Sequence, residues 1–525
     1  MRLNSILIPL VSGLAALSTL FTGSAKAQEK LTFLEYTIEA DIELVQPAFS
    51  ANILDNEGNE IIAIGVDGKY QRWLYIYGFS NDKLVLLDKQ PLSHDLYRYD
   101  VYLPDELTDK RQLQKLYFLS ADSLWFYQPG HAVLASVENQ PTVSEIVNIA
   151  PISSITLVPQ ADFISRGQFV KDINNDGEGD IIISDFKEVH LMLSQPGSSA
   201  AIPNFTRQSL PLLPIIELTK SGAEYSRPEL HITDTNFDGK DDIIKVGEGL
   251  LEVYTQLDSG LFTNSANYIS VSQPISGVDW WNKRDIYGRQ LDQSDLMYRK
   301  VEKIADINAD GITDLVVRYT KSSGVFDRSN DYEVYLGQNK DNVLFFPREA
   351  NSVIRADGTL SGLNFVDLDS DAKLEVVVSG FDIGISQIIG ALLSGSIDQD
   401  VYVFKMNDQY IFPKSANLTQ EVELNFSLTS GQSGEPVVSL GDLNGDGFKE
   451  LILSDDEKSL KIYQGKAGAS PFVSRSDELK FALPTEGSMV KLTDINHDGK
   501  DDLLVHYGRQ DDKALQRKVL VFIAQ

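Results

Sequence analysis

One pattern, written six times, limits this chain to a small set of architectures. Oxygen-bearing side chains stand at positions one, three and five, glycine or alanine at six, and an acid at nine, after which the sequence turns apolar. The copies are DINNDGEGD from Asp172, DTNFDGKDD from Asp234, DINADGITD from Asp306, DLDSDAKLE from Asp367, DLNGDGFKE from Asp442 and DINHDGKDD from Asp494. They lie 52 to 75 residues apart, the period of an array whose units bury their apolar faces against one another. The runs that follow (DIIIS, DIIKV, DLVVR, EVVVS, ELILS, DLLVH) are short, branched and nearly unbroken, as in a strand covered on both faces. A further strand-like run comes next in every unit, beginning at Val189, Leu251, Tyr332, Val401, Leu460 and Lys518.

That strand pair recovers two more units whose acidic loops are eroded. EIIAIG from Glu60 with WLYIYG from Trp73 follows DNEGNE at Asp55, and KLYFLS from Lys115 with LWFYQPG from Leu124 follows DELTDK at Asp105. Both of these loops are expected to hold no metal. Each unit has room for four short strands, and no long helical period is present. The expected fold is therefore all-β: a β-propeller of four-stranded antiparallel blades, eight in number, or seven if one eroded copy is not a blade. The repeats fall at about 48–104, 105–160, 161–225, 226–298, 299–360, 361–434, 435–486 and 487–525 of a single domain spanning 28–525. The last unit has an inner strand near Met489 to Thr493 and strands at Asp502 to His506 and Lys518 to Ala524, then runs out of chain. LTFLEYTIEA from Leu31 is a strand without a sheet, and its pairing into the last blade would close the ring and cover an open edge.

The loop chemistry suits a hard divalent cation. Ca2+ takes 6 to 8 oxygen ligands, and a tight turn brings positions one, three, five and nine to one centre, with the carbonyl of position seven. Glycine at six permits backbone that a Cβ disfavours. An EF-hand starts the same way but needs a bidentate acid at position twelve, where Ile183, Val317 or Leu453 stands within a strand. The D-x-[ND]-x-D-G-x-x-[DE] loop running into an apolar strand instead resembles the FG-GAP or VCBS repeat, known from the propeller headpiece of integrin α subunits and from secreted bacterial proteins. The resemblance covers roughly Ala48 to the C-terminus. It implies that the loop joins the first and second strands of a blade and carries Ca2+, about five or six ions in all. Carried over residue by residue, the ligands are Asp172, Asn174, Asp176 and Asp180; Asp234, Asn236, Asp238 and Asp242; Asp306, Asn308, Asp310 and Asp314; Asp442, Asn444, Asp446 and Glu450; and Asp494, Asn496, Asp498 and Asp502. The sixth copy keeps its oxygens in Asp367, Asp369, Asp371 and Glu375, but Ala372 replaces the glycine and brings strain with it. His497, at position four of its loop, is expected to face solvent.

Charge narrows the partners. The 76 acids exceed the 46 Lys and Arg to give a net charge of −30, which argues against nucleic acid and anionic membranes. Cysteine is absent, so disulfides, thiolate metal sites and lipoprotein attachment are out. Arg2, the apolar run Ile6 to Phe21 and the AKA ending at Ala27 read as a signal peptide over 1–27. The run is shorter than the ~20 residues of a spanning helix, no later segment spans a bilayer, and export to the periplasm, the cell surface or beyond is expected. The six histidines are scattered and no GxSxG elbow, zinc-binding pair or phosphate loop occurs. The reading is an exported binding, adhesion or protein-interaction module for a protein or polysaccharide ligand. The alternative is a calcium-dependent carbohydrate-active enzyme, a lyase or glycosidase, with no catalytic residue assigned. Long connections at Thr320 to Asp331, at Gly380 to Asp400 with its ISQIIGALL helix candidate, and at DWWNKRDIYGRQ from Asp279 share the end opposite the acidic loops. Trp280, Trp281, Arg284, Tyr287 and Arg289 in the last of these are the candidate ligand contacts.

Overall fold

Eight blades, each a sheet of antiparallel core strands, follow one another along the chain; in the first seven the core strands pair in sequence order, and the eighth takes its outer strand from the N-terminal end. The computed structural model describes residues 30–44, 46–54, 56, 58–81, 83–103, 113–130, 143–156, 164–195, 202–219, 222–285, 287–324, 327–356, 359–381, 396–427, 432–456 and 458–525. The expected signal peptide, the loop at Asp105 and the helix candidate that starts at Ile385 lie outside them. The fourth blade shows the unit plainly. Its strands Leu230–Thr233, Asp242–Val246, Leu250–Tyr254 and Asn267–Ser270 pair one to the next. In every blade that carries the nine-residue pattern, the acid at position nine is the first residue of the second strand.

The unbroken apolar runs are explained by what lies on either side of each second strand. Ile61 packs with Leu504 and Val519 of the last blade, while Ile62 packs with Tyr99 and Leu116 of the second. Val316 faces Val376 of the sixth blade, and Val317 faces Ile244 of the fourth. Alternate residues of one strand thus face opposite neighbours, and both faces are dry. Eight buried apolar clusters occur among the described residues, one at each of the eight interfaces around the ring. The core is a circle of inter-blade seams.

Closure occurs as the pattern of the last unit requires. Phe33–Glu39 pairs antiparallel with Lys518–Ala524, from Phe33 opposite Ala524 to Glu39 opposite Lys518, and completes a sheet with Asp502–His506 and Val490–Thr493. Ile38 from this terminal strand enters the seam with the first blade. Two features depart from the sequence reading. The fifth blade's long connection is mostly strand: Asp314–Gly324 and Asp327–Tyr335 stay paired out to Gly324 opposite Asp327. Two small hairpins, Ile215–Thr219 with Gly222–Ser226 and Gln338–Lys340 with Val343–Phe345, also stand outside the four-strand units.

Candidate metal centres

Each nine-residue loop is folded around its own backbone amides. The carboxylate at position one accepts the N–H of position six at 2.7–3.1 Å in all six copies. The carboxylate at position five accepts the N–H of position seven at 2.9–3.0 Å. In four copies the Asn Nδ2 at position three donates to the position-five carboxylate at 3.0–3.2 Å, and Asn444 donates to Glu450 instead. Such a turn needs left-handed backbone twice. Position six has φ between 66° and 87°, with Ala372 at 66° among glycines, and position four has φ between 57° and 73°. Only Gly445 meets the second requirement without a Cβ; Asn175, Phe237, Ala309, Ser370 and His497 adopt it as non-glycine residues.

The acid at position nine has a different environment. Asp180, Asp242, Asp314, Glu375, Glu450 and Asp502 are almost wholly buried. One oxygen of each accepts the N–H of position two at 2.7–3.2 Å. In five copies the other accepts an N–H from the end of the third strand or just beyond it: Ser194, Gln256, Gly337, Gly465 or Ala524. These acids therefore tie loop, second strand and third strand together; Glu450 Oε1 and Asp242 Oδ2 each accept two hydrogen bonds, from Asn444 and Gly465 and from the amide and hydroxyl of Thr235. Burial pushes Asp180, Asp314, Glu375 and Asp502 up to about 7 and Glu450 to about 8, and it raises Asp242 as well. A cation beside them would favour the ionised form that burial opposes.

The first blade separates the clamp from the cation chemistry. Glu60 opens its second strand, is fully buried, and accepts the amides of Ile53 at 2.7 Å and Leu54 at 3.0 Å. Glu60 is thus the position-nine acid of a loop whose first and third positions are Asn52 and Leu54. In the second blade the corresponding residue is Lys115, which ion-pairs with Glu178 of the next loop. Among the described residues, Asp367, Asp369 and Glu375 bring ligand atoms within 4.8 Å of one another. This loop has an aspartate where the other five have asparagine, and the Lys405 ammonium pairs with that Asp369, offsetting the added charge. The donors in all six loops are oxygens, which suits a hard cation.

The loops are chained around the ring. The position-eight amides of Asn59, Leu374 and Lys449 donate to the position-two carbonyls of Ile495, Ile307 and Leu368 in neighbouring loops, and the Thr313 hydroxyl reaches the Asp234 carbonyl. His497 corrects the expectation of a solvent-facing side chain: its Nε2 lies 2.9 Å from Asn59 Oδ1 of the first blade.

The candidate ligand contacts divide. Trp280 is 7% exposed and Trp281 44% exposed, edge to face at 5.4 Å. Trp281 lies 5.6 Å from the Arg318 guanidinium, and Arg318 pairs with Asp279. Arg284 donates to the carbonyls of Trp281 and Lys283, and Arg289 pairs with Asp285 within its own turn. Tyr287 is 75% exposed with Arg289 against its ring. Trp281 and Tyr287 are available to a partner, Trp280 is a packing residue, and the two arginines hold the loop.

Eight blades, a closing terminal strand and acidic turns between first and second strands define a repeat β-propeller. Residues 442–505, from the acidic loop of the seventh blade to the second strand of the eighth, match the family model of the FG-GAP-like repeat. No curated protein matches the chain. Similar solved structures include an Agrocybe aegerita lectin with specific recognition of non-reducing terminal N-acetylglucosamine (16% identity, 85% of this chain and 94% of that one, TM-score 0.37). The V. cholerae biofilm matrix protein Bap1 (12%, 94% and 91%, TM-score 0.36) and a Bacillus licheniformis rhamnogalacturonan lyase (11%, 93% and 72%, TM-score 0.34) are others. Likeness at this level carries no functional argument.

Proposed function

We propose that this protein is an exported, calcium-stabilised propeller that acts as a binding module. The observation that carries the calcium reading is the six-fold recurrence of one oxygen set in one turn geometry, with a desolvated carboxylate behind each turn. Without a cation each turn holds crowded carboxylates, a repulsive arrangement that binding would relieve. Extracellular calcium modules often bind at ~0.1 to 1 mM, and a tenfold excess over Kd adds about 1.4 kcal/mol per site. Because neighbouring loops are hydrogen-bonded to one another, the gain acts on the ring as a unit.

Thermal unfolding of chelated protein, repeated on adding millimolar Ca2+, should show Tm rising by several degrees, with five or six ions bound by equilibrium dialysis. An unchanged Tm and no bound ions would refute the calcium reading. For partner binding, Trp281 and Tyr287 are the exposed aromatic groups of the loop from Asp279. Their joint change to alanine should remove partners recovered from an envelope fraction while leaving Tm unaltered, and an unchanged partner set would move the binding surface elsewhere.

A further inference from the structure

We propose that the cavity at the end of the ring opposite the acidic loops binds a compact organic polyanion, carrying two or more carboxylate or phosphate groups. The proposal rests on the reading of the chain as a binding module and is independent of calcium. The cavity measures about 910 Å3, within the range of small-molecule sites. Leu119 and Ser184, at the ends of second strands, form part of its wall; second strands start at the acidic loops, so they finish at the far end. The hairpin at Tyr225 and the segment Gly277 to Asn282 form further walls.

Its charge is the reverse of the molecule's. In a chain of net charge −30, the lining includes Arg98, Arg166, Lys171, Arg227 and Lys300, against the carboxylates of Glu229 and Asp279. Both acids are already engaged, Glu229 by Lys300 at 3.0 Å, which also pairs with Glu302 at 3.4 Å and so adds no free charge, and Asp279 by Arg318. Arg166 is paired with Asp100, but Arg98 and Arg227 have no carboxylate partner among the described residues. Arg227 donates to the carbonyls of Gly167 and Gln168 and to Gln168 Oε1, neutral oxygens that aim the guanidinium and leave its charge uncompensated. Cations converging from several blades on a low-dielectric concavity focus a positive potential there, and guanidinium forks match carboxylate and phosphate oxygens.

The test uses the full chain and naphthalene trisulfonate, a fluorescent trianion that does not depend on calcium. Its binding should saturate, weaken as salt rises, and fall roughly tenfold in Arg227→Gln and in Arg98→Gln, the loss of one charge-assisted contact. Lys480→Gln, on the exposed outer strand of the seventh blade, should leave it unchanged. Tricarballylate and glucose bisphosphate are then used as competitors, and whichever displaces the probe at the lower concentration identifies carboxylate or phosphate as the natural group. No saturable binding, displacement by neither competitor, or equal affinity in wild type and both arginine variants would overturn the proposal. Should Arg227→Gln lower Tm, Arg98→Gln and Arg227→Lys carry the comparison, the lysine keeping the charge while losing the guanidinium fork. The calcium-dependent Tm of the same samples is read separately, so failure of the calcium reading and failure of the anion site are distinguishable.

Discussion

Glu60 does in the first blade what six other acids do in theirs, with Asn52, Leu54 and Asn56 at positions one, three and five of its loop. Burial raises it from 4.5 to about 7, so the folded protein holds a proton there that the unfolded chain releases at lower pH. A raised acid contributes stability that is fully present below its unfolded pKa and is lost as pH rises through the folded value. Stability should therefore decline between about pH 4.5 and 7 on account of this group, and Glu60→Gln should remove that part of the slope. Gln can still accept both amides through its single oxygen. Urea unfolding across this pH range, on chelated wild type and variant, measures the difference, and identical slopes would show that Glu60 does not titrate there. The second residue-scale prediction concerns Ala372, held at φ 66° where the other loops have glycine. Ala372→Gly should stabilise the protein by about 1 kcal/mol, the cost of a Cβ in left-handed backbone, read as a higher urea midpoint at unchanged m-value. These positions were unequally legible. The strain at Ala372 follows from the pattern, whereas Glu60 is masked in the sequence because Asp55 and Glu57 stand out of register with it; the signal for it is an acid opening the second strand.

Among the elements, the terminal strand Phe33–Glu39 has the most at stake. It covers the edge of Lys518–Ala524 along seven residue pairs and places Ile38 in the seam with the first blade. A chain starting at Asp41 should expose that edge and self-associate, seen as early-eluting species in size-exclusion chromatography, while a chain starting at Gln28 should elute as the uncut domain. Equal elution would mean that the eighth blade does not need its fourth strand. Strand pairs and closure were legible because alternation and unpaired edges are local properties. The hairpins at Ile215–Ser226 and Gln338–Phe345 were not, since nothing in their composition separates them from ordinary connections. The fifth blade's extension from Thr320 looked like a loop because Lys321, Ser322 and Ser329 are polar, yet backbone pairing carries the ribbon on without an apolar face.

At the scale of the whole molecule, the ring separates charge. Acidic turns gather at one end, those of the fifth to eighth blades joined by backbone amides, and the opposite end holds a cavity rich in Arg and Lys. Calcium at the first end should raise the stability of all blades together, because the seams run through the whole circle. Unfolding should therefore remain a single transition whose midpoint climbs with Ca2+, and a calorimetric scan resolving into two calcium-sensitive steps would show that the ring breaks into independent parts.

The sequence by itself determined the repeat, the strand pairs and the closing strand, because each depends on spacing and alternation along a short stretch of chain; it left eight blades or seven, and the tertiary structure has eight. The sequence also marked which loops carry a complete oxygen set. Only the tertiary structure decided that Lys405 meets Asp369, that His497 bonds to Asn59, and that cations from separate blades meet in one cavity. Those residues are distant in sequence, and no local pattern records which side chains a closed ring will bring face to face.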